Sequence, residues 1–345
     1  MAIREHTAAH DSIQELPLIS ESASVTLVER LDTDRREKAR ETIHRWVREH
    51  QLPPEFYDLA ETPGDWSSLQ AELADRGNVE LARRIATLTT RYHRPKPMLV
   101  RVRVEPDEPV SFLPGQYIGF RYNKTSRAYS ISSSPDRSYL ELCVRRVPGG
   151  RLSPDLCDNI KPGDSVTIRG PYGDLVLQDS STRDIVFLAT GTGVAPFKSM
   201  LDYLFENNLD DFEGHQRDVW LFLGAAWQDD LPYHTQFTEL ASEHDNFHYV
   251  PTLSREPILT DWEQETDYVQ HAFMKHIDQS RVHVPLDHEL KRWITRTPRS
   301  GVSKLIDPSN VDVYACGINA MVYSLVHAAR SIGVPTENIE SEGYG

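Results

Sequence analysis

The sequence predicts a multi-domain protein: a small helical region, then an antiparallel β-barrel, then an α/β domain with a doubly wound parallel sheet. Its 345 residues exceed what one core of usual size organises. Short β-type runs separated by turn residues fill the middle of the chain, and strand-like runs alternate with helical patterns after Asp184. The expected boundaries are 1–92 for the helical region, 93–177 for the barrel and 178–345 for the α/β domain.

In the first region, Ala39, Ile43, Trp46 and Val47 recur at helical spacing between Asp34 and His50, and Pro53-Pro54 closes that helix. A second helix is expected from about Asn78 to Tyr92, with Asn78 capping it after Gly77. The region carries no cofactor motif and reads as a packing or docking appendage. Its first ~20 residues are expected to lack fixed structure.

The barrel is expected from runs at Met98–Val104, Gln116–Tyr122, Tyr129–Ser132, Tyr139–Arg145 and Ser165–Arg169. Beyond it come strands at Asp184–Ala189, Asp218–Gly224, Phe247–Val250 and Val311–Ala315. Helices are expected at Pro196–Glu206, Tyr233–His244, Asp267–Ile277 and Ala320–Ile332. Residues 278–310 fit neither pattern and read as an insertion.

The net charge of −15 argues against nucleic acid or an anionic membrane as partner. Its distribution is uneven: residues 91–175 carry 14 Lys/Arg against 9 Asp/Glu, whereas residues 176–345 carry 12 against 26. A basic middle can steer an acidic partner, or its arginines can serve the phosphates of a cofactor. No apolar run reaches the ~20 residues of a membrane span, and the first residues lack a signal peptide's apolar core, so a cytoplasmic protein is expected. Cys143, Cys157 and Cys316 are too few and too widely spaced for a disulfide framework, a zinc site or an iron-sulfur cluster.

The clearest motif is the apolar strand Ile185–Ala189 running into Thr190-Gly191-Thr192-Gly193-Val194-Ala195-Pro196. Glycines let a backbone approach a diphosphate, and proline suits the start of a helix whose positive end faces the anion. Upstream stands Arg127-Ala128-Tyr129-Ser130, which offers a guanidinium fork, an aromatic platform and a hydroxyl within four residues. Gly149-Gly150-Arg151-Leu152-Ser153 is a glycine turn leading into a helix, with Ser153 expected as cap and Pro154 at the first position. Tyr314-Ala315-Cys316-Gly317 and the terminal Glu342-Gly343-Tyr344-Gly345 complete the series.

In this order the segments resemble the plant-type ferredoxin-NADP reductase family over roughly residues 93–345. The resemblance implies FAD held by Arg127 at the diphosphate and Tyr129 on the isoalloxazine, with Ser130 beside the reactive nitrogen. It makes Gly150, Arg151, Leu152 and Ser153 the second diphosphate contact. Thr190, Gly191, Thr192, Gly193, Val194 and Pro196 would cradle NADP(H). Ser254 and Arg255 resemble the pair that binds the 2′-phosphate, and Tyr268 and Gln270 the adenosine contacts; Thr266 stands where the family usually has lysine. Cys316 would lie against the nicotinamide, Glu342 would tune flavin reduction through Ser130, and Tyr344 would be the aromatic that stacks on the flavin, here followed by Gly345.

The implied reaction is hydride transfer between NADP(H) and FAD, then single-electron exchange with a separate ferredoxin or flavodoxin. A reductase component serving an oxygenase or another acceptor is the alternative. A non-catalytic flavin- and nucleotide-binding regulatory subunit is a second.

Overall fold

The computed structural model describes residues 16–178, 180–256 and 262–344. Its barrel begins earlier than the sequence reading placed it. Strand β1 (Ile19–Arg30) pairs antiparallel with β2 (Leu99–Pro106) from Ala23↔Pro106 to Arg30↔Val100, and with β6 (Ser165–Tyr172) from Ile19↔Gly170 to Ser24↔Ser165. With β3 (Tyr117–Tyr122), β4 (Thr125–Ser130) and β5 (Leu140–Arg145), the order is β4-β3-β6-β1-β2-β5. An Ile131↔Leu142 bridge links the two ends. Alternate residues point inward, so Val25, Val100, Val102, Val104, Ile118, Phe120, Leu142, Val144 and Ile168 form the barrel core.

The helical residues are therefore an insertion between β1 and β2, and the expected 1–92 helical extension is corrected in that sense. Of the first ~20 residues, expected to lack fixed structure, residues 1–15 lie outside the described residues. The insertion comprises α1 (Arg36–Glu49), α2 (Pro54–Glu61), α3 (Trp66–Asp75) and α4 (Val79–Tyr92). Ala39, Ile43, Trp46 and Val47 of α1 meet Phe56, Trp66, Leu69, Leu73, Ile85 and Leu88 in a core of their own. Trp66 Nε1 donates to the Ala60 carbonyl at 2.8 Å, satisfying the one polar atom that this fully buried ring brings inside. Asn78 precedes α4, but its side chain makes no capping bond.

The third unit is a five-stranded parallel sheet in the order β11-β10-β7-β12-β13. Its strands are β7 (Asp184–Thr190), β10 (Val219–Ala225), β11 (Phe247–Leu253), β12 (Val311–Ile318) and β13 (Ile339–Tyr344). A two-residue pair, β8 (Asp211–Phe212) and β9 (His215–Gln216), stands apart from it. The central strands are buried on both faces, which explains apolar runs such as Ile185–Ala189. On one face pack α6 (Ala195–Glu206) and α7 (His234–Glu243), and on the other α8 (Val269–Lys275) and α10 (Asn319–Ser331). The short α5 (Ser153–Asp158) belongs to the barrel, and α9 (His288–Ile294) lies within the 278–310 segment. The two ends of that segment are held together by an isolated Ile277↔Ile306 bridge, with Trp293 stacked on His271 at 3.8 Å.

Barrel and sheet share one apolar layer: Leu99, Cys143, Leu175 and Leu177 cluster with Phe187, Met200, Leu201 and Leu223. Polar bonds cross it too. Ser199 Oγ donates to the Ser133 carbonyl at 2.7 Å, and the Tyr233 and Ser132 hydroxyls lie 3.0 Å apart. Among the described residues no helix is long and apolar enough to cross a membrane.

Candidate functional site

The glycine turn occupies the carboxyl end of β7, the central strand, where doubly wound sheets bind ligands. Gly191–Val194 form a single 3-10 turn and α6 begins at Ala195 with Pro196 in its first turn, close to the expected start. Gly191 has φ +52, and a Cβ there would meet nothing within 4 Å, so this backbone faces open space. At Gly193 a Cβ would lie 2.4 Å from the Cys316 carbonyl oxygen. One glycine supplies a left-handed conformation and the other a close approach, the two reasons for glycine in a turn of this kind.

The end of the chain returns to this turn as β13, an element the sequence reading did not anticipate. Its register sets Glu342 beside Cys316 and Tyr344 beside Ile318. Tyr344 Oη lies 3.3 Å from Thr192 Oγ1, and although the residue is 39% exposed, loss of water around its hydroxyl raises the phenol pKa. Cys316 is fully buried; burial first, and the Glu342 charge second, push its thiol pKa well up. The thiol therefore stays protonated and acts as a small apolar contact rather than a nucleophile.

Glu342 also reaches the barrel. Its Oε1 lies 3.6 Å from where a Gly173 Cβ would stand, and the same Cβ would be 2.9 Å from the Tyr117 ring. Burial and then the Glu342 charge raise the Tyr117 phenol pKa. Ser130 is the register partner of Tyr117 across β3 and β4, so Ser130, Tyr117, Gly173 and Glu342 gather at one end of the barrel. Tyr117, stacked at a tilt on Tyr172 with centroids 5.6 Å apart, is the site residue that sequence reasoning missed. Its signal was present: an aromatic at the entry of the Gln116–Tyr122 run, two residues after the Pro114-Gly115 turn.

On β4, Arg127 is exposed and donates Nη1 to the carbonyl of its neighbour Ser126 at 2.7 Å. Tyr129 is half-buried, edge-on to Phe120 at 6.1 Å, and burial pushes its phenol up to about 12. Gly150 and exposed Arg151 follow β5, and buried Leu152 is the residue before α5. Ser153 does not cap α5 as expected. It is the first helical residue, and its Oγ instead accepts the Val147 amide at 3.0 Å, closing the turn behind it. An Ile131↔Leu142 bridge sets the end of β4 against β5, the strand that leads into this turn.

A second cluster lies beyond β11. Ser254 and Arg255 are exposed, and their amides donate to the Ala225 and Ala226 carbonyls at 3.1 and 3.0 Å. Tyr268, 64% exposed, precedes α8, and half-buried Gln270 lies in its first turn. The chain before Tyr268 is fastened to the end of β11 by Leu253 N donating to Glu265 O at 3.0 Å, and by Thr252 Oγ1 donating to the Asp267 carbonyl. All four residues thus stand at the carboxyl edge of the sheet, Ser254 and Arg255 at the end of β11 and Tyr268 and Gln270 on either side of Val269, whose Cγ2 lies 2.3 Å from where a Gly224 Cβ would stand on β10.

The arrangement suits a flat redox cofactor and a dinucleotide. An open glycine backbone, an exposed arginine beside a half-buried tyrosine, and a phenol poised over the same turn are donors for phosphates and rings. Among the described residues no group of three His, Cys, Asp or Glu side chains is placed to hold a metal ion.

Two family models match in the same order, an oxidoreductase FAD-binding domain over residues 96–177 and an oxidoreductase NAD-binding domain over residues 187–327. Ferredoxin-NADP reductase B of Sorangium cellulosum is 33% identical over 223 residues, covering 64% of this chain and 79% of that protein. The phenol 2-monooxygenase reductase component of Pseudomonas sp. strain CF600 is 33% identical over 185 residues, covering 53% of this chain and 51% of that protein. The chain spans about half the length of several curated relatives of this kind. In three dimensions it is similar to an Amycolatopsis cytochrome P450 reductase, with a TM-score of 0.61 and 22% identity over 95% of this chain and 70% of that one. At that identity the likeness speaks for the fold alone.

Proposed function

The chain belongs to the ferredoxin-NADP reductase family, with oxidoreductase FAD-binding and NAD-binding domains, and on that premise we propose that it oxidises NADPH through bound FAD and delivers single electrons to a separate carrier. The observation that carries the reading is that Cys316 and Tyr344 meet the Gly191–Gly193 turn while Glu342, beside Cys316, points its Oε1 to 3.6 Å from where a Gly173 Cβ of the barrel would stand. That is where a nicotinamide and a flavin would have to meet. When bound, the flavin supplies exchange of a hydride on one side and of single electrons on the other.

The protein's own groups do the rest. Arg127 and the Gly150–Ser153 turn offer charge and amides to a diphosphate, and Tyr129 a face for the ring system. Thr190, Gly191, Thr192, Gly193, Val194 and Pro196 present backbone to a second diphosphate. Tyr344, held at Thr192 on the neighbouring turn, would have to swing aside for a nicotinamide ring to approach the surroundings of buried Cys316. Ser130 and Glu342 would supply polar contacts to a bound flavin, and the apolar layer shared by barrel and sheet would help to exclude water.

Selection of NADPH is assigned to Ser254 and Arg255, with Tyr268 and Gln270 beneath the adenosine. Ferredoxin or flavodoxin is the proposed acceptor, and the basic barrel favours an acidic one. A second reading, an oxygenase reductase component, is favoured by relatives such as the phenol 2-monooxygenase reductase component.

Steady-state turnover with ferricyanide tests the assignment. A charge-assisted bond to an exposed phosphate sits at the low end of about 1.5–3 kcal/mol, so Arg255→Ala should lower kcat/KM for NADPH about tenfold and leave NADH within about twofold. Equal losses with both coenzymes, or none, overturn it.

A further inference from the structure

The inserted bundle is fastened to the coenzyme half through the back of the Ser254–Arg255 loop. Arg35, the residue preceding α1, donates Nη1 to Glu256 Oε1 at 3.1 Å and Nη2 to Gln228 Oε1 at 2.5 Å. The other oxygen of Glu256 accepts the Gln228 amide at 2.6 Å. Glu256 follows Arg255 directly and is fully buried. Two neighbouring loops, 226–228 and 254–256, are thus stitched together by the Ser254 and Arg255 amides, by the Gln228 amide and by an arginine that arrives from another unit.

The rest of the docking surface continues along the 226–230 loop. Trp227 joins the bundle's apolar core under the Arg91 guanidinium, 4.2 Å from the ring centroid. Arg91 pairs with Asp229, Lys96 bridges Asp229 and Asp32 at 3.2 and 3.0 Å, and Arg94 pairs with Asp230 at 3.3 Å. Of these contacts, the Arg35 pair is the one that acts on the residues beside Arg255. A buried carboxylate without its cation is costly, and the loop that carries it can relieve that cost by shifting toward water.

We infer that Arg35 is a positioning residue for coenzyme recognition: acting through Glu256 and Gln228, it fixes the backbone of Ser254 and Arg255, so the inserted bundle sets affinity for the phosphorylated coenzyme. The inference rests on the assignment of Ser254 and Arg255 to the 2′-phosphate. It gives the insertion a role beyond packing.

The test uses the full-length flavin-loaded protein carrying Arg35→Met, Arg35→Lys or Arg94→Met, with Arg255→Ala in parallel. Misplacement of a binding group by about 1 Å weakens recognition substantially, and about fivefold to tenfold in KM for NADPH is expected for Arg35→Met, with kcat and the NADH parameters within about twofold. Amide exchange over residues 252–256 should quicken in that variant without coenzyme. Arg35→Lys should recover most of both effects. Arg94→Met, which removes a docking pair that does not touch the loop, should lower thermal stability without moving KM. If Arg35→Met loses stability as Arg94→Met does while KM and exchange stay put, the pair merely docks the bundle and the inference falls alone. If Arg255→Ala leaves the NADPH preference unchanged, the site reading falls and takes the inference with it.

Discussion

Gly193→Ala tests the glycine turn with one added methyl. The new Cβ would lie 2.4 Å from the Cys316 carbonyl oxygen, 2.8 Å from its carbonyl carbon and 2.9 Å from Gly317 Cα. All three are backbone atoms, so no side chain can swing away. Reaching an ordinary contact of 3.4 Å requires the turn and β12 to part by about 1 Å, the difference between 3.4 and 2.4 Å. Overpacking of this kind costs about 1–3 kcal/mol. The same displacement acts where coenzyme and flavin rings are to be brought into register, and a 1 Å misplacement there costs on the order of 10²-fold in rate. Gly191→Ala is the control. Its Cβ meets nothing within 4 Å, but φ is +52, so the expected loss is the left-handed backbone term of about 1–2 kcal/mol without any clash. Thermal unfolding and ferricyanide turnover with NADPH measure both variants. A Gly193→Ala protein as stable as the parent, with unchanged KM and kcat for NADPH, would refute the steric reasoning.

Deleting residues 1–90 should abolish folding rather than leave a working reductase, because β1 lies between β6 and β2; soluble expression reports it. Replacing residues 34–95 by a short turn should instead preserve the barrel and a reducible flavin, because Arg30↔Val100 pairing holds the strand ends together. Arg91→Met leaves buried Asp229 with Lys96 at 3.2 Å as its remaining cation and should cost about 3 kcal/mol in urea unfolding, the low end for breaking a buried pair; adding Asp229→Asn should recover part of that loss. Burial raises the Tyr129 phenol to about 12, above its unfolded value near 10, so the folded state keeps a proton that the unfolded chain releases. Stability contributed in full below pH ~10 should therefore fall by roughly 2–3 kcal/mol as pH rises toward 12 in flavin-free protein, and Tyr129→Phe should flatten that decline. Tyr344→Ser should tighten nicotinamide binding and erode discrimination between NADPH and NADH, as read from coenzyme inhibition constants.

The parallel sheet was legible because its strands are buried on both faces and read as unbroken apolar runs, as Ile185–Ala189 does. The barrel strands from β2 onward were legible as short β-type runs between turns, except that β4, expected at Tyr129–Ser132, spans Thr125–Ser130. Strand β1 was not, since its first half, Ile19-Ser20-Glu21-Ser22, is largely polar and its partner β2 begins only at Leu99, beyond the inserted helices. Strand β13 was missed for a similar reason: Ile339-Glu340-Ser341-Glu342-Gly343-Tyr344 is an edge strand with few apolar residues. The identity of Glu342 and Tyr344 could be read from motif order, but not the element that aims them. The Asn78 and Ser153 caps show the limit of local rules, since Ser153 was claimed by the Val147 amide. The Arg35–Glu256 pair, 221 residues apart in sequence, has no signature that spacing can reveal.

The most direct measurement is an anaerobic titration of the purified protein with NADPH and, separately, NADH, following flavin absorbance. The account predicts a bound FAD that NADPH bleaches rapidly and NADH slowly. A protein that binds no flavin, or one whose flavin neither coenzyme reduces, would contradict it and favour a non-catalytic nucleotide-binding role.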